Sequence, residues 1–182
     1  MRKLHKKYSR PKKLWVVDRI REEHRLKHKY GLKNMREIWI ARAFLRKVRA
    51  NARKLLALPP DLRKKGEKEV LGKLERYNIL PGDATIDDVL SLSVEDVLKR
   101  RLQTLVYEKG LAKTIKQARQ LIVHGFIAVK GRRVTSPGML VRKEEENEIS
   151  YYRPIDLEPK REETQPAEEG QQEAPQEGGE NA

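Results

Sequence analysis

The residues best placed to do chemistry in this sequence are cations. Arg100, Arg101, Lys109, Lys113, Lys116, Arg119, Lys130, Arg132, Arg133 and Arg142 crowd one stretch. The chemistry they suggest is anion binding. Lys113 precedes an expected helix start, where free backbone N–H groups and the helix dipole already favour negative charge. Lys116, Arg119 and Gln120 project opposite an apolar stripe, and Lys130, Arg132 and Arg133 fall in the adjacent turn. One basic surface facing phosphates is therefore expected, against the blander reading of a solvated charged face. Thr114, Gln120 and His124 are weaker candidates, suited to hydrogen bonds with sugar or phosphate.

A second set lies upstream. Arg42, Arg46, Arg49 and Arg53 recur at intervals of four, three and four residues, one stripe of a helix. Glu37 is the only acid between Asn34 and Leu58, so the stripe is expected to lack counter-charges. A cationic stripe of this length can follow a phosphate backbone. A third set, Lys6, Lys7 and Arg10, belongs to a basic arm that is expected to be disordered alone and to fold against RNA.

Other chemistry finds little support. The chain has no cysteine, which removes disulfides and cysteine-ligated zinc. His24 and His28 stand four apart on an expected helix, but Arg25 follows the first of them where a zinc protease would carry glutamate. No glycine-rich phosphate loop is present. Asp87-Asp88 and the Glu144–Glu146 run lack an apolar pocket to separate their pKa values; the latter read as a solvated turn. No catalytic residue, metal or cofactor is expected.

The elements that must position these cations are mostly helices. A helix is expected over residues 14–30, ended by Gly31. Asn34 and Glu37 then form a capping box before a helix whose apolar positions are Ile38, Ala41, Leu45, Val48, Ala52 and Leu55. Pro59-Pro60 breaks it, and Asp61 is the expected cap of the next helix. Thr85 with Asp88, and Ser93 with Asp96, mark two further starts. A short helix with Leu102, Leu105 and Val106 stops at Gly110. Thr114 and Gln117 form a capping box for a helix that buries Ile115, Ala118, Leu121 and Ile122. Strands are expected over Phe126–Val129, from Arg133, and over Ile149–Tyr152. The fold class is α+β: a basic helical domain (14–99) after an extended arm (1–13), a helix-helix-strand module (100–152), and a disordered acidic tail (153–182).

Charge sharpens this division. The net charge is +14, from 41 basic and 27 acidic residues. Residues 153–182 hold 3 basic and 9 acidic residues, which leaves residues 1–152 at +20. Such a body is expected to bind polyanions at low salt almost regardless of fold. No stretch approaches the roughly 20 apolar residues of a spanning helix, and the N-terminus lacks the apolar core of a signal peptide. A cytoplasmic protein without membrane contact is expected.

Certain runs carry a family likeness. Arg101-Leu102-Gln103, Gly110-Leu111-Ala112, Thr114-Ile115, Gln117 through Ile122, and Ile127-Ala128-Val129 with Gly131 resemble the RNA-binding module named after ribosomal protein S-four. Tyr30 through Asn34, Glu37-Ile38-Trp39, Arg53 with Leu55-Leu56, and Ser93 through Leu98 extend the resemblance to the archaeal and eukaryotic S-four family over residues 4–152. The resemblance implies a structural constituent of the small ribosomal subunit. It implies binding of 16S-type rRNA at a junction in the 5′ domain, early assembly, an influence on decoding accuracy, and ribosomal protein S-five as neighbour, with the chain a monomer in the ribosome. The alternatives are an RNA-modifying enzyme using the module for docking, and a non-ribosomal RNA chaperone. The first would need a further domain of about 150 residues.

Overall fold

The computed structural model describes residues 6–154. The expected acidic tail therefore lies, from residue 155 onward, outside the described residues. The chain runs α1 (Val17–Lys29), α2 (Met35–Leu56), α3 (Pro60–Arg76), α4 (Ile86–Ser91), α5 (Val94–Lys99), α6 (Leu102–Glu108), α7 (Ile115–Val123), β1 (Ile127–Val129), β2 (Arg132–Arg133), α8 (Lys143–Glu146) and β3 (Ile149–Tyr151). This is an α+β architecture, with all strands following the seventh helix.

Two apolar cores form. The first gathers Leu26, Ile38, Leu45, Val48, Leu74, Val89 and Leu98 from α1 to α5. The stripe expected on α2 supplies Ile38, Ala41, Leu45, Val48 and Ala52, all buried, while Leu55 is half-buried. The second core gathers Leu102, Leu105, Val106, Ala118, Ile122, Ile127, Val141 and Ile149. Only the short stretch Lys99–Arg101 separates the two cores along the chain.

The sheet is antiparallel with order β2-β1-β3. Ala128 pairs with Arg133, and Val129 with both Arg132 and Ile149. Lys130 and Gly131 both take positive φ, 53° and 69°, which makes the two-residue turn whose twist suits a hairpin. The return strand therefore starts at Arg132, one residue before the position expected from the sequence.

The acid three residues after the cap reaches back to the cap amide in two of the expected cases. The amide of Thr85 donates to Asp88 at 2.8 Å, and that of Ser93 to Asp96 at 2.9 Å. Other starts differ. The first helix begins at Val17 rather than Leu14. Pro59 is the N-cap of α3, with Pro60 in its first turn, so Asp61 is not the cap; the fixed φ of proline suits that position and its missing N–H is no loss there. Asn34 takes the cap position of α2 without a side-chain cap bond, and Glu37 turns elsewhere. Thr114 caps α7 as expected, accepting from Gln117 N–H at 3.1 Å. The Gln117 side chain, however, reaches the N–H of Lys113 at 2.7 Å rather than that of Thr114.

Candidate nucleic-acid interface

The cations expected to form one exposed surface separate into two groups. Arg100 and Arg101 are 9% and 6% exposed. Arg100 donates to the Tyr77 carbonyl at 2.9 Å and to Glu146 at 2.6 Å, tying the end of α3 to α8. Arg101 bonds Glu37. Arg119 bonds the same carboxylate at 2.9 Å and the Gln103 side-chain oxygen at 3.3 Å. These three arginines are therefore not the free phosphate ligands that the sequence suggests. Carboxylates far along the chain neutralise them, a pairing that helical periodicity does not reveal.

Glu37 is the hinge of that cluster. It sits on the flank of α2 that faces the module, and its carboxylate bridges two guanidinium groups. Burial by itself pushes its carboxyl up; hydrogen bonds from Arg119 and Arg101 overcome this and hold it below the ordinary glutamate value. Glu146 is likewise lowered, chiefly by the Arg100 hydrogen bond. The expected solvated turn at Glu144–Glu146 is thus a short helix with two paired acids, Glu146 on Arg100 and Glu145 on Arg142. Gln103, fully buried, adds a second tie: its amide donates to the carbonyls of Gly31 at 3.0 Å and Ile115 at 3.1 Å.

The arrangement explains the faces of α7. Ala118, Leu121 and Ile122 enter the second core. Ile115 and Arg119, four apart, turn toward the first half instead. Ile115 is only half-buried and packs on Gly31, where a Cβ would lie 2.7 Å from its Cγ2. Lys116, Gln120 and His124 occupy the remaining face and are exposed. Arg133 continues this stripe: its side chain lies so close over Gly125 that a Cβ there would stand 2.8 Å from its Cδ. Lys113, Thr114, Lys130 and Arg132 are exposed as expected. Among the described residues, no carboxylate pairs with Lys113, Lys116, Lys130, Arg132 or Arg133.

The arginines of α2 line one groove of about 300 Å³ with Leu45 and Val94. The expectation that they lack counter-charges needs correcting at Arg42, which pairs with Glu22 at 3.1 Å and with the buried Glu23, both from α1. Arg49 donates to the Leu92 carbonyl. Arg46 donates to the Ser9 hydroxyl at 2.8 Å, and Arg53 is exposed. Neither has a carboxylate partner among the described residues.

The first five residues of the expected arm lie outside the described residues. Over residues 6–16 it makes contacts with α1 and α2. Tyr8 packs on Trp39 with ring centroids 5.9 Å apart, Ser9 meets Arg46, and Arg19 bonds the Leu14 carbonyl at 2.8 Å. Lys6, Lys7 and Arg10 are exposed along it. The single aromatic in a basic run was the available signal; its partner, on another helix, was not.

Two exposed cationic surfaces thus accompany a half-buried ionic joint. Residues 100–147 match the family described as S4 domain. The small ribosomal subunit protein uS4 of Ignicoccus hospitalis is 57% identical over 150 residues, which covers 82% of this chain and 90% of the relative. The chain belongs to the uS4 family. Its relatives in Saccharolobus solfataricus and Hyperthermus butylicus are 55% and 51% identical, each over more than four-fifths of both chains. The uS4 relationship takes in the joint as well as the module, since 150 aligned residues exceed the module threefold.

Among the described residues, no three His, Cys, Asp or Glu side chains gather where a metal could sit. His24 and His28 are exposed on α1. No described helix is long and apolar enough to cross a membrane.

Proposed function

We propose that this chain is a structural constituent of the small ribosomal subunit and grips 16S-type rRNA through two cationic surfaces. The observation that carries the reading is the unpaired stripe Lys116–Gln120–His124, extended by Arg133 across Gly125. Lys113, Lys130 and Arg132 border it, and Thr114 adds a hydroxyl. The groove of Arg46 and Arg53, with Lys6, Lys7 and Arg10 on the arm beside it, forms the second surface. Residues 14–99 and 100–152 then act as two RNA-binding units, preceded by the arm 1–13 and followed by the tail 153–182.

The mechanism is positioning. Each neutralised phosphate releases counterions, so part of the affinity is electrostatic and falls with salt. The Glu37–Arg101–Arg119 joint fixes the angle between the surfaces, so two RNA helices meeting at a junction are held in one geometry. A junction in the 5′ domain fits this demand. Stabilising it early would let later proteins join, and rigidity there would bear on decoding accuracy. Ribosomal protein S-five is the proposed neighbour, with the chain present as a monomer in cytoplasmic ribosomes. No catalytic role is proposed.

Sedimentation with small subunits tests this. The chain is expected to remain with the subunit through washes at 0.5–1 M salt, on the order of the concentrations that strip purely electrostatic binders. Quantitative release under those washes is the behaviour of an RNA chaperone and would refute the reading.

A further inference from the structure

Trp15 is 88% exposed, and its neighbours Leu14 and Val17 are 54% and 57% exposed. The backbone that displays it is nonetheless pinned. Arg19 donates to the carbonyls of Leu14 at 2.8 Å and Lys13 at 3.4 Å. Glu23 holds Arg19 in turn at 2.8 Å, and Glu23 is itself buried. Further back, Tyr8 on Trp39 and Ser9 on Arg46 fasten the arm to α2. An indole displayed in water on a pinned backbone gains nothing for the isolated chain, because its apolar surface stays unburied. A partner that covers it gains a large flat contact without having to order the backbone.

The surroundings select the partner. Residues 6–16 carry Lys6, Lys7, Arg10, Lys12 and Lys13 and no acid. A purely apolar protein pocket has no use for five positive charges. A polyanion with exposed flat rings does. We infer that Trp15 is a stacking platform for an unpaired base of the RNA, with the cations of the arm on the flanking phosphates. Paired helices hide their base faces, so the platform reads a loop, bulge or junction strand. The inference rests on the rRNA-binding reading above and adds a site to it.

The chain has two tryptophans, so Trp39→Phe leaves Trp15 as the only indole emitter. The full-length variant is titrated with a transcript of the 5′ domain of small-subunit rRNA, and separately with a fully paired RNA duplex of equal length. Binding is followed in parallel by filter retention. The expected result is strong quenching by the junction transcript and little by the duplex. In the otherwise natural chain, Trp15→Ala is expected to weaken transcript binding about tenfold, and Trp15→Tyr to recover most of that. Transcript binding with unchanged emission overturns the inference and leaves the rRNA reading standing, as does equal quenching by the duplex. So does a blue shift seen only with assembled subunits, which would mean a protein pocket. Trp15→Ala with natural affinity overturns it without reliance on Trp39→Phe. Absence of transcript binding by the natural chain overturns both.

Discussion

The arginines between the two cores and the lysines outside them differ in one respect: whether a carboxylate lies within reach. Arg119 and Lys116 are three residues apart on α7. The first meets Glu37 at 2.9 Å across the joint, and the second stands in solvent. Similar cations thus serve opposite ends. Arg100, Arg101 and Arg119 pair with carboxylates of the chain itself, and the exposed Lys113, Lys116, Lys130, Arg132 and Arg133 have no such partner among the described residues. Burial decides the difference. A guanidinium as enclosed as Arg101 needs a partner inside the protein, because an unpaired buried charge is strongly destabilising.

The sharpest way to break this contrast is to remove the shared acid. Glu37→Ala leaves two guanidinium groups facing each other at the joint and is expected to cost about 3–5 kcal/mol in urea unfolding. The folded fraction should lose affinity for junction RNA and keep duplex binding; unchanged junction affinity would show that the joint does not set the angle. The same pair should be visible in acid. The folded carboxyl lies below its unfolded value, so its contribution is full above the ordinary glutamate range, near about pH 4.5. It fades as pH falls from there through the lowered folded value. Stability of the natural chain should therefore drop more steeply below about pH 4.5 than that of Glu37→Gln.

The joint can also be disturbed without touching charge. Gly31 has φ +56° and no room for a Cβ beside Ile115. Gly31→Ala is expected to cost about 2 kcal/mol, from the left-handed backbone and the contact together. A cost near zero would show that the joint is soft. On the outer surfaces the expectation reverses. Arg46→Ala with Arg53→Ala should change stability by no more than about 0.5 kcal/mol. Their effect belongs in the salt dependence of RNA binding, whose slope should fall by about 1.5 for two lost phosphate contacts.

Much of this fold is legible along the chain because its signals are local. The Thr85 and Ser93 caps, the stop at Gly110 and the Lys130-Gly131 turn each depend on residues within four positions. So does the apolar stripe of α2. What escapes such reading is pairing over distance. Glu37 stands 64 residues from Arg101, and its place three after Asn34 suggests a cap, which is the wrong partner. The clue was its solitude: one acid in a long basic stretch is more informative than a member of a crowd. Arg42 escapes for the same reason, with its acids on α1. Arg119 shares a polar arc with Lys116 and Gln120 in sequence, yet it lies at the edge of that arc, beside Ile115. The helical period places residues around an axis but does not say where a second apolar body docks.

The central claim is that Lys113 and Lys116 meet RNA phosphate while the arginines of the joint do not. The most direct measurement is the salt dependence of rRNA binding for Lys113→Ala with Lys116→Ala against the natural chain. The account predicts an unchanged unfolding midpoint, affinity about tenfold weaker near physiological salt, and a slope of log K against log salt that is shallower by about 1.5. An unaltered slope and affinity in a stably folded double variant would contradict it.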